Sequence, residues 1–74
     1  MRTYDIYNTQ EQFQVTLIVH DDGRKEWDWS QTAWQVELWY DDDVTPALER
    51  ALDDHPQAEL LAYSSYRIRR RSAV

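Results

Sequence analysis

Residues 12–30, Gln-Phe-Gln-Val-Thr-Leu-Ile-Val-His-Asp-Asp-Gly-Arg-Lys-Glu-Trp-Asp-Trp-Ser, set the architecture of this chain. From Gln12 to His20, Phe13, Val15, Leu17 and Val19 face one way and Gln12, Gln14, Thr16 and His20 the other, the period of a strand with one buried face. Asp22-Gly23 follows at once, and Asp-Gly between alternating segments favours a type I′ turn, whose two central residues must both accept positive φ. The returning residues 24–30 put Trp27 and Trp29 on one face and Glu26 and Asp28 on the other, so the whole stretch reads as a β-hairpin.

On the N-terminal side, residues 2–8 place Tyr4 and Ile6 opposite Thr3, Asp5 and Tyr7, a further strand closed by the polar turn residues Asn8, Thr9 and Gln10. On the C-terminal side, Trp34, Val36, Leu38 and Tyr40 alternate with Gln35, Glu37 and Trp39. Trp34 and Leu38 would share a helical face, but Val36 and Tyr40 would not, so a fourth strand fits better. Thr45-Pro46 has the form of a helix start, a hydroxyl N-cap followed by proline where no amide donor is needed. Ala47, Leu48, Ala51 and Leu52 make a narrow apolar stripe, and Pro56 stops the helix after roughly ten residues. The remaining residues 60–71 read as a fifth strand. Tyr66 and Ile68 alternate with Arg67, Arg69 and Arg71, while Leu60 to Ser65 is apolar on both faces, as in a central strand or a bulge near the serines.

The fold class expected is α+β: a small antiparallel sheet of about five strands in the order β-β-β-β-α-β, with one short helix on one face. Residues 1–74 form a single domain with a basic, fraying end at 69–74. The inward positions are nearly all large, from Tyr4 and Ile6 through Trp27, Trp29 and Trp34 to Tyr40, more than a helix offering two Leu and two Ala is expected to cover. The sheet must then curl, pair with a second protomer, or leave an aromatic face for a partner. Trp27, Trp29, Trp34 and Trp39 are the candidates for such a partner or dimer face.

Chemistry is sparse. There is no cysteine, which removes thiolate nucleophiles and sulfur-bound zinc. Ser30, Ser64, Ser65 and Ser72 lack an elbow motif, and one glycine cannot build a phosphate-cradling loop. His20-Asp21-Asp22 sits in a hairpin turn where consecutive side chains diverge, and Asp41-Asp42-Asp43 lacks the spacing of a calcium loop. His55 is read as a helix-end residue. No catalytic, metal or cofactor site is expected, and the chain is read as no enzyme. The N-terminus has no apolar run of signal-peptide length and no stretch approaches a membrane span, so a cytoplasmic protein without membrane contact is expected.

Charge is the informative feature. The chain carries 14 acidic against 8 basic side chains, and Arg67, Arg69, Arg70 and Arg71 supply half of the positive charge. Two surfaces follow. The carboxylates of Asp21, Asp22, Glu26, Asp28, Asp41, Asp42 and Asp43 could occupy the basic groove of a nucleic-acid-handling protein, with Trp side chains as anchors. Small phage-encoded inhibitors of host defence share this character of size and charge. The arginines could instead grip RNA or single-stranded DNA while sheet aromatics stack on bases, although a net charge of −6 opposes it. If the last strand lies beside an acidic one, Arg67, Arg69 and Arg71 would share a face and pair across it. A structural homo-oligomer burying the tryptophans is the third reading.

Overall fold

A computed structural model describes residues 1–33 and 43–71. The described strands are β1 (Arg2–Asn8), β2 (Phe13–Val19), β3 (Lys25–Asp28), β4 (Leu60–Tyr63) and β5 (Tyr66–Arg70), with helix α1 (Val44–Asp54) between β3 and β4. They form one antiparallel sheet in the order β3-β2-β1-β5-β4, so the expected α+β class holds. The fourth strand expected at 34–40 lies outside the described residues, as do Trp34, Trp39, Asp41 and Asp42.

The 12–30 hairpin forms with a different loop. His20 N–H donates to Arg24 O at 2.8 Å and Gly23 N–H to His20 O at 2.9 Å. Gly23 has φ +89°, while neither Asp21 nor Asp22 has a positive φ. This is a type I turn followed by a left-handed glycine, not the type I′ turn expected; three loop residues instead of two let Asp22 avoid the left-handed region.

The second correction concerns residues 60–71, which are two strands. β4 and β5 pair from Tyr63↔Tyr66 to Leu60↔Arg69 around Ser64-Ser65, where Ser64 takes φ 51°. The apolar character of both faces of Leu60–Tyr63 thus reflects neither a central strand nor a bulge. Arg69 and Arg70 lie within β5, paired with Asp5 and Tyr4, and Arg71 N–H donates to Thr3 O at 2.7 Å, so these three residues are tied to the sheet, while residues 72–74 of the expected fraying end lie outside the described residues.

A bulge sits where β1 and β2 pair: Ile6 opposes Val15 but Tyr7 opposes Phe13, leaving Gln14 as the extra residue. Phe13 is thereby carried to the face of Tyr7, whose ring it meets edge-on at 5.8 Å, and leaves the inward set to which alternation assigned it.

The core lies between the sheet and α1. Tyr4, Ile6, Val15, Leu17, Val19, Tyr66 and Ile68 are buried under Leu48 and Leu52, with Trp27, Trp29, Val44 and Leu61 packed at its margin. One helix therefore covers the described part of this face, because the bulge removes Phe13 and the tryptophans sit at the rim. The helix begins two residues before the expected start. Asp43 is its N-cap, without a side-chain cap bond, and Pro46 sits at the third helical position, still within the first turn, where its missing N–H breaks no bond. Its end before Pro56 is as expected, with His55 N–H donating to Ala51 O and Leu52 O.

Candidate interaction surface

The strand register sorts the charged residues by face. Glu26 and Asp28 alternate with the core-packed Trp27, so they lie on the face away from α1, beside Ile18 and Thr16 of β2. Asp5 follows on β1, opposite Thr16, and Arg69 and Arg67 follow on β5, opposite Asp5 and Tyr7. This outer face thus runs from acidic at β3 to basic at β5.

Three of the four arginines are turned onto the protein itself. Arg69 Nη2 donates to both carboxylate oxygens of Glu11 at 2.7 and 2.6 Å, with its guanidinium 4.6 Å from the centre of the Tyr7 ring. Arg71 binds Asp5 through Nη2 at 2.6 Å and Nε at 3.2 Å. The Glu11 and Asp5 carboxylates hold the two guanidiniums still more firmly protonated than usual. Arg67 donates to the backbone carbonyls of Ser64 and Tyr66 at 3.1 and 2.9 Å. Arg70 lies on the other face, opposite Tyr4, and makes no ion pair among the described residues. The pairing of Arg69 and Arg71 follows from β5 lying beside β1.

The acidic candidates gather mainly on the β2–β3 hairpin. Asp21 is exposed and paired with the N-terminal ammonium, which pulls its carboxyl below the ordinary range. Asp22, also exposed, accepts from Arg24 N–H at 2.9 Å and has no cation against it among the described residues. Glu26 is exposed, 3.5 Å from His20 Nε2. Asp28 accepts from Ser30 N–H at 3.0 Å; hydrogen bonds from Ser30 lower its pKa. Asp43 stands apart at the start of α1.

The tryptophans that are described do not form an open platform. Trp27 donates from Nε1 to Glu49 on α1 at 2.8 Å and stacks on Trp29 with ring centres 6.4 Å apart. Lys25 adds a 3.0 Å pair with Asp53, so β3 is fastened along one flank of the helix. The other flank faces β4 across a groove of about 290 Å³. Sequence reasoning missed this second flank, because it read β4 and β5 as one strand; the doubled serine between two apolar alternations was the available signal.

Among the described residues, no three His, Asp or Glu side chains converge as a metal site, and no helix is long and apolar enough to cross a membrane. The fold and surface define a small antiparallel α+β domain. Comparison with known protein families, curated proteins and solved structures finds no match to this chain.

Proposed function

We propose that this chain is a cytoplasmic protein-interaction module that presents its acidic β2–β3 hairpin to a basic surface of another protein, in the sharpest case one that handles nucleic acid. The observation behind this reading is the asymmetry of charge pairing. Arg69 and Arg71 are held by Glu11 and Asp5, whereas Asp22 and Glu26 stand exposed on the hairpin and, among the described residues, only Glu26 has a partner for its charge, His20. A surface of exposed carboxylates steers a positively charged partner and repels a polyanion. The same pairing weighs against direct phosphate binding, since a phosphate would have to displace carboxylates already in place.

The test is capture by the immobilised chain from lysate with and without nuclease treatment, comparing the wild type with a D22K/E26K variant. Recovery of a basic protein that the variant fails to retain supports the proposal. Recovery of nucleic acid alone, abolished by nuclease and insensitive to D22K/E26K, overturns it in favour of direct nucleic-acid binding.

A further inference from the structure

Among the described residues three large apolar side chains are exposed, Met1, Leu60 and Tyr63, and two of them lie on β4, at 67% and 37% exposure. Among the described residues β4 is an outer strand of the sheet, bonded to β5 on one side. In an antiparallel hairpin, residue pairs that exchange hydrogen bonds alternate with pairs that do not. Tyr63 and Tyr66 flank the two-residue turn, and Arg70 N–H donates to Glu59 O at 2.8 Å, so the bonded pairs are Tyr63–Tyr66, Leu61–Ile68 and Glu59–Arg70. The N–H and C=O groups of Leu60 and Ala62 therefore point away from β5, to the side that carries no described strand. Leu-Leu-Ala-Tyr has no charge and no proline, the usual devices that keep an outer strand from pairing.

We infer that a second copy of this chain adds its own β4 here, antiparallel, about a two-fold axis at Leu61. Pairing Leu60 of each copy with Ala62 of the other is the register that satisfies the outward N–H and C=O groups within β4 alone, since the neighbouring registers would call on Ala58, whose N–H already donates to His55 O at 3.1 Å, or on Ser64 in the turn. The sequence is self-complementary in it, with the large Leu60 beside the small Ala62 and Leu61 beside Leu61. Charge agrees. Arg50 and Asp54 line the groove between α1 and β4, one helical turn apart. The two-fold reverses their order, so each Arg50 faces the Asp54 of the second copy. A core of nine buried apolar residues among those described is small enough to gain from such an extension. The acidic hairpin lies at the far side of the sheet, so the dimer leaves it open, and the two ideas stand or fall separately.

The experiment is sedimentation of the full chain up to about 100 μM, a range that detects self-association weaker than most specific interfaces. The wild type is expected at the mass of two chains, and Leu60→Lys at the mass of one, with dimer affinity weakened at least about tenfold. Leu60 is exposed in the single chain, so the variant keeps its circular dichroism. Ala62→Pro removes an outward donor while sparing the bonds to β5, and is also expected to be monomeric. A mixture of R50D with D54R is expected to form a heterodimer, each alone placing like charges across the axis. A monomeric wild type overturns the inference and leaves the edge to an extended segment of another protein; a dimer that survives both Leu60→Lys and Ala62→Pro overturns it in favour of a different surface.

Discussion

Arg71, one residue beyond β5, reaches Asp5 on the neighbouring β1 with two nitrogens, while Thr16 on β2 donates from Oγ1 to the same Asp5 carboxylate at 3.0 Å. Two strands and the residue that follows β5 are thus tied by one side chain on the outer face. Asp5 retains 19% exposure against 56% for Arg71, so solvent screens the ion pair more than it screens the hydrogen bond to the buried Thr16.

Removing the two ends of this contact should therefore have unequal effects. Arg71→Ala is expected to cost under about 1 kcal/mol, the range of exposed pairs. Asp5→Ala is expected to cost about 2 kcal/mol, because it also strands the Thr16 hydroxyl. Urea denaturation of the two single variants and the double variant checks this; equal costs would show that the arginine, not the threonine, is the important partner.

The two connecting turns make opposite predictions. Gly23 has φ +89° with open space around the position of a Cβ, so Gly23→Ala suffers backbone strain without a clash and is expected to cost about 1 kcal/mol. Ser64 already carries that strain at φ 51°, and Ser64→Gly is expected to be neutral or stabilising by up to about 1 kcal/mol. Thermal melts of both variants measure the difference directly.

Acid should weaken the fold through the carboxyls it holds ionised. Ser30 lowers the pKa of Asp28 and the N-terminal ammonium that of Asp21, both from the ordinary 3.8. A lowered folded pKa means that the contribution is complete above 3.8 and is lost as pH falls through the folded values. Melting temperature should accordingly decline below pH 3.8. Asp28→Asn should lower it at neutral pH and flatten the decline, so that the two curves converge in acid.

β1, β2 and β3 were legible in the sequence because each alternates against a single covered face, and a period of two has no competing explanation there. What alternation hides is a change of phase. The extra Gln14 leaves the pattern of polar and apolar residues intact while sending Phe13 to the other face. β4 hides for a different reason: Leu61 and Tyr63 lie on the helix face while Leu60 and Ala62 lie on the outer face beside Arg69 and Arg67, so no alternation marks it, and its turn uses Ser64 where glycine or asparagine would have announced it. The pairing of Arg69 and Arg71 depends on which strand lies beside β5, a long-range fact that spacing along the chain does not contain. Likewise Thr45-Pro46 imitates a helix start closely enough to conceal the true cap at Asp43.

Trp27 offers a way to separate a packing role from a binding role at β3. Its indole lies against the core and donates to Glu49, so it fixes the strand to the helix. Trp27→Phe keeps most of the apolar contact and loses the donor, with an expected cost of about 1 kcal/mol. Glu49→Gln retains an acceptor for the indole and should cost less than that. Trp27→Ala removes the ring as well and is expected to cost roughly 2–3 kcal/mol, below the value for a fully buried tryptophan because the residue is half-buried. Denaturation followed by far-ultraviolet circular dichroism gives the three values independently of tryptophan emission. If Trp27→Ala leaves stability unchanged, the ring is not part of the core, and its place would instead be on a surface available to a partner.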